Sequence, residues 1–122
     1  MSKIVIVEDN AQSARLAARL LRKAGHDVQT AEDGEIGLNT VLAQKPDLVL
    51  IDLGLPDIDG QTVIVLLREQ PELQGMPIVA FTAYPFEIAQ KMAKTYGCAG
   101  VISKPIDTHL FPGQVAEYLK RD

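Results

Sequence analysis

Short apolar runs recur along the chain, and each is followed by a stretch whose apolar positions repeat every three to four residues. Residues 3–7, KIVIV, form a continuous β-branched run, as expected of a strand buried on both faces. Asn10 is placed to cap a helix over 11–24, where Ala14, Leu16, Ala17, Leu20 and Leu21 make an apolar stripe and Gly25 supplies the stop. HDVQTA (26–31) predicts a second, weaker strand, and residues 34–44 a helix with Ile36, Leu38, Val41 and Leu42 turned inward. DLVLID (47–52) is the third strand; a loop over 53–60 then leads to a helix at about 61–70 carrying Val63, Ile64, Leu66 and Leu67. MPIVAFTA (76–83) predicts the fourth strand, and PFEIAQKMAKTYG (85–97) the fourth helix, with Pro85 suited to its first turn. AGVISKP (99–105) is the fifth strand, and residues 108–121 the last helix, with Pro112 early enough to be tolerated.

Strands that alternate with helices in this way imply right-handed crossovers and a parallel sheet covered on both sides. The expected fold is α/β, a (βα)5 doubly wound five-stranded parallel sheet of the flavodoxin-like kind, strand order 2-1-3-4-5. A chain of 122 residues is expected to form one domain over 1–122, with no output domain. That length suffices to bury a core without disulfides or a structural metal.

Charge narrows the function. The net charge is -4 and the basic residues are scattered, so no basic face for nucleic acid or anionic lipid is expected. The single cysteine, Cys98, cannot form an internal disulfide and reads as a small buried hydrophobe in a reducing compartment. MSKIVIVEDN has too few apolar residues before its acids for a signal peptide, and no run approaches the ~20 residues of a membrane span. A cytoplasmic location without membrane contact is expected.

The polar residues at the strand ends carry the chemistry. Open α/β sheets bind ligands outside the carboxyl ends of their strands, at the switch in strand order. The first strand ends in Glu8-Asp9, the third in Asp52, the fourth in Thr82 and the fifth in Lys104-Pro105. Three carboxylates on one rim, offset by one ammonium, would raise at least one pKa unless a cation joined them. Hard carboxylate oxygens, a backbone carbonyl and water suit Mg²⁺. A carboxylate in such a setting can attack a phosphoryl group, with Lys104 neutralising charge and Thr82 hydrogen-bonding a phosphoryl oxygen. The added negative charge would then draw both residues inward, which makes the reaction a switch.

VED after the first strand, DLVLIDLGLPDIDG, FTA and SKPID together resemble the receiver domain of two-component response regulators, over essentially all 122 residues. The resemblance implies that Asp52 is the phosphoacceptor and Asp9 a direct Mg²⁺ ligand, with Mn²⁺ as a substitute. It implies that Glu8 acts mostly through a metal-bound water and that the Gly54 carbonyl completes the shell. Thr82 and Lys104 would hold the phosphoryl oxygens, supported by Ala83 of the FTA motif and by Pro105, cis in this family. The implied partners are a sensor histidine kinase or a histidine phosphotransfer protein, and a protein output partner that the residues do not name. GCAGVISKPID resembles the stand-alone, DivK-like receivers. Val101 stands where the family often carries a switch Tyr or Phe, which points to another reporter on the face of the fourth helix, fifth strand and fifth helix. Tyr84, two residues past Thr82, is bulky beside the phosphate position and is expected to screen attacking water.

Bland alternatives stand beside these readings. DIDG (57–60) hints at a calcium loop, but Leu55 occupies the position where that pattern needs an acid, so it reads as an ordinary turn. His26 and His109 sit at no ligand spacing, and Glu32 and Asp33 are assigned no role. Arg15, Arg19 and Arg22 either dock a kinase or form a solvated stripe. A Mg²⁺-dependent phosphatase would want an acid two residues after its nucleophile, where this chain has Gly54. A flavin-phosphate site would want a Gly/Ser/Thr-rich first loop rather than Glu8-Asp9-Asn10. A phosphorylation-independent scaffold remains as the alternative to the phosphoacceptor.

Overall fold

The computed structural model describes residues 2–120 and holds them in a three-layer α/β arrangement. Its strands are β1 (Lys3–Val7), β2 (Asp27–Ala31), β3 (Leu48–Ile51), β4 (Ile78–Thr82) and β5 (Gly100–Ser103). Its helices are α1 (Ala11–Lys23), α2 (Gly34–Gln44), α3 (Gly60–Arg68), α4 (Phe86–Tyr96) and α5 (Phe111–Leu119). All strand pairs are parallel, in the order β2-β1-β3-β4-β5. The order reverses direction between β1 and β3, and this switch opens a crevice at their carboxyl ends.

Strand residues alternate between two cores. Val5, Val7, Val49, Ile51, Ile78 and Ala80 face one side, where they pack with Val41, Val63, Ile64 and Leu67 of α2 and α3. Ile4, Ile6, Leu48, Leu50, Val79, Phe81 and Ile102 face the other, against Ala17, Ala18 and Leu21 of α1 and Phe111 and Val115 of α5. Burial on both faces is why these strands read as unbroken apolar runs.

Local caps place the helices as the chain chemistry suggests. Asn10 accepts the Ser13 amide at 3.0 Å at the start of α1, Asp33 caps α2 and Asp59 caps α3. Gly25 after α1 has φ 97°, the left-handed geometry that glycine tolerates.

Three expectations are corrected. Ile36 is 42% exposed, because α2 turns Gly34, Gly37 and Val41 inward instead. Pro85 precedes α4 as its cap residue and does not lie in its first turn. The last helix starts at Phe111, since Asp107 turns the chain first by accepting the amides of His109 (2.9 Å) and Leu110 (3.2 Å). Residue 121 of that expected helix lies outside the described residues. A 3₁₀ turn over Pro71–Leu73, absent from the sequence reading, buries Leu73 between α3 and β4.

Candidate functional site

Backbone bonds carry the ladder past the strand ends and bring the polar residues together. The Asp52 amide donates to the Val7 carbonyl (2.9 Å), Glu8 to Ala31 (2.9 Å) and Lys104 to Thr82 (2.8 Å). Glu8, Asp52 and Lys104 therefore keep the even-numbered side of β1, β3 and β5, the side facing α1 and α5. They meet there. Lys104 Nζ donates to Glu8 Oε1 and lies 3.3 Å from Asp52 Oδ2.

Glu8, Asp9 and Asp52 each offer a carboxylate oxygen within 4.8 Å of the others, the one such acidic group among the described residues. Glu8 and Asp52 are buried, at 2% and 8% exposure, while Asp9 lies in the open. Burial pushes the Glu8 carboxyl up to about 7, although the bonds from Lys104 and the Asn10 amide pull the other way. Burial also acts to raise Asp52. The Gly54 amide on Oδ1 (3.0 Å), the bond shared with Glu8 and the Lys104 charge outweigh it, so Asp52 ionises below the ordinary range. For Lys104, the bond to Glu8 and the two carboxylate charges overcome burial and raise its pKa. The cluster thus divides its protons unequally, with Asp52 the ready anion. Hard oxygen donors at this spacing, two of them withdrawn from water, fit a small divalent cation of the Mg²⁺ kind.

The remaining predicted residues fall around this cluster. Thr82 is buried, and its Oγ1 accepts the Tyr84 amide at 3.1 Å. It has the strand parity of Ile78 and Ala80, on the opposite side of the sheet from Lys104. Ala83 and Pro105 are exposed, and the Lys104–Pro105 peptide is cis. Val101 packs half-buried against the α2–α3 core. Tyr84, 40% exposed, leans over the loop after β3: a Cβ added at Gly54 would lie 3.5 Å from its hydroxyl and 3.8 Å from Asp52 Oδ1.

Two site residues escaped the sequence reading. Phe81 lies under the ammonium, with Lys104 Nζ 5.3 Å from its ring centroid, and steers the lysine towards the acids. Its position one residue before Thr82 was the available signal. Asp57, read as part of an ordinary turn, accepts the amides of Gly34 (2.8 Å) and Glu35 (3.0 Å) at the start of α2. No local pattern marks a bond across 23 residues. Cys98 is half-buried against the core, and burial pushes its thiol up to about 11, as befits an unreactive packing residue.

Residues 4–115 match the family described as the response regulator receiver domain. The chain is 31% identical over 116 residues to the polar-differentiation response regulator DivK of Brucella anthropi, covering 95% of this chain and 94% of that relative. It resembles the BeF3-activated N-terminal receiver domain of Klebsiella pneumoniae RstA, at TM-score 0.87 and 32% identity, covering 98% of this chain and 99% of that one. A chemotaxis response regulator of Vibrio cholerae, 23% identical, shares the fold at TM-score 0.91, with 97% and 98% covered.

Proposed function

The chain belongs to the response regulator receiver domain family, and from that premise we propose that Asp52 accepts a phosphoryl group from a histidine and thereby changes which partner the domain binds. The observation that carries this is the meeting of two buried carboxylates, Glu8 and Asp52, with Asp9 and the Lys104 ammonium at one sheet edge. A phosphohistidine of a sensor kinase or a phosphotransfer protein is the donor in this reading. An Asp52 oxygen attacks phosphorus, the P–N bond breaks, and the imidazole leaves with the electron pair and takes a proton.

Glu8, Asp9, Asp52 and the Gly54 carbonyl would hold Mg²⁺, or Mn²⁺ in its place. When bound, the ion neutralises charge on the transferring oxygens. The depressed pKa of Asp52 keeps it an anion at neutral pH. Lys104 moves its bond from Glu8 towards the phosphoryl oxygens, a short shift because it already stands beside Asp52. The Thr82 hydroxyl donates its proton to another phosphoryl oxygen. Since Oγ1 also accepts the Tyr84 amide, this motion pulls on residues 84–86.

That route gives the switch an output without an aromatic residue at Val101. Tyr84, Phe86 and Ile88 are exposed by 40%, 53% and 52%, and they form an apolar start to α4 that a partner can read. Turnover in this reading is confined to self-phosphorylation and slow hydrolysis, and the domain works in the cytoplasm. No helix among the described residues is long and apolar enough to cross a membrane.

The test is incubation with acetyl phosphate and Mg²⁺ followed by mass spectrometry. A gain of one phosphoryl group, about 80 Da, lost in Asp52→Asn and on chelation, supports the reading. A protein that stays unmodified yet binds its partner equally well would favour a phosphorylation-independent scaffold.

A further inference from the structure

The loop that joins β3 to α3 carries Gly54, and it is pinned at both ends by contacts that glycine permits. A Cβ at Gly60 would lie 2.3 Å from the Asp52 carbonyl oxygen and 2.7 Å from Leu53 Cα, so the loop closes back on the backbone of the phosphoacceptor itself. At Gly34, a Cβ would lie 2.7 Å from the Ile58 carbonyl oxygen, so the start of α2 rests directly on the same loop. Between these contacts stands Asp57. Its two carboxylate oxygens take the Gly34 and Glu35 amides, two donors that the first turn of a helix leaves unsatisfied.

Asp33 is the natural comparison. It caps the same helix end, accepting the Ile36 amide at 2.8 Å, but it precedes α2 in the chain and that bond stays within the helix end. Asp33 thus serves the third amide of α2 and Asp57 the first two. What Asp57 adds is a crossing bond, from the phosphoacceptor loop to a helix 22 or 23 residues earlier. Leu55 is buried in the α2–α3 core and Ile58 packs against it, so apolar contacts already seat the loop. Asp57, gripping two amides of a fixed helix, adds a directional tie that apolar packing lacks.

We propose that Asp57 is a positioning residue for the cation site, holding the loop so that Gly54 stays seated against Asp52. The inference rests on reading the acidic cluster as a Mg²⁺ site, and it reaches further because nothing in the receiver motifs assigns a role to Asp57. It carries a reciprocal consequence: whatever the ion does to steady Gly54 must also steady the amides of Gly34 and Glu35.

The test compares Asp57→Ala, Asp57→Asn and Asp33→Ala in the full chain. Mg²⁺ affinity is read by calorimetry, amide exchange by NMR and stability by thermal melting. Asp57→Ala is expected to weaken Mg²⁺ roughly tenfold, at the low end for groups that orient metal ligands. It should also speed exchange at Gly54 in the metal-free protein. Asp57→Asn keeps one acceptor oxygen and should recover part of both. Asp33→Ala should lower the melting temperature at least as much while leaving Mg²⁺ affinity unchanged. Unchanged affinity in Asp57→Ala, or equal weakening in Asp33→Ala, would overturn the inference while the cation site stands. A wild-type protein that takes up no Mg²⁺ would overturn both.

Discussion

Lys104 bridges Glu8 and Asp52: its ammonium bonds the glutamate and stands 3.3 Å from the aspartate. An internal cation thus partly fills the role that the acids would give a metal ion. A bound Mg²⁺ would compete with Lys104 for Glu8, and the two would cooperate only once a phosphoryl group gave Lys104 somewhere else to go.

Replacing Lys104 by methionine separates these roles. The metal-free variant should lose about 1–3 kcal/mol, the cost of leaving buried charge without its partner. Mg²⁺ should bind more tightly than in the wild type, because its competitor is gone. Melting curves with and without Mg²⁺ check both, and a variant whose Mg²⁺ affinity falls would contradict the competition.

Stability of the metal-free protein should fall as pH rises through the neutral range. Glu8 has a folded pKa near 7 against an ordinary 4.5, so the folded state holds its proton more tightly than the unfolded chain does. This contribution is full below the unfolded pKa and is lost as pH climbs towards the folded one. Asp52, shifted the other way, acts only in acid, where stability is lost as pH falls. Thermal melts from about pH 5 to 8 should decline, flatten in Glu8→Gln, and recover with Mg²⁺.

Tyr84 should lengthen the life of the acyl phosphate. Its hydroxyl overhangs Gly54 next to Asp52, and the residue is 40% exposed. Tyr84→Ala is expected to speed decay roughly three- to tenfold, equivalent to about 0.7–1.4 kcal/mol of barrier. Loss of the phosphoryl mass over time measures it, and an unchanged rate would remove the screening role.

Gly60→Ala should damage both fold and site. Its new methyl would meet backbone, which cannot rotate away, and Asp52 must shift to admit it. A loss of about 1–3 kcal/mol is expected from overpacking, together with impaired phosphorylation. Urea midpoints and acetyl phosphate labelling would show it.

The strand runs, the helix stripes and the acids at the strand ends are all legible in the sequence, because each depends on neighbours a few residues apart. Asn10 could be named as a cap, and Glu8, Asp9, Asp52, Thr82 and Lys104 as one rim, since a βα repeat sends every strand end to the same edge. The inward face of α2 was misread at Ile36 because glycine packing carries no hydrophobic signal. Asp57 was missed because its partners at Gly34 and Glu35 lie far back in the chain.

The order of residues along the chain determined that this protein is a parallel α/β domain with an acidic edge. Only the folded arrangement decided how that edge is divided. Strand parity sends Lys104 to Glu8 and Asp52 and leaves Thr82 on the other side, holding the Tyr84 amide. Burial then favours the proton on Glu8, while the Gly54 amide, the bond shared with Glu8 and the Lys104 charge outweigh burial at Asp52 and favour its anion. The physical reason is distance: pattern and propensity act within a few residues, whereas pairing across the sheet and withdrawal from water exist only once remote segments meet.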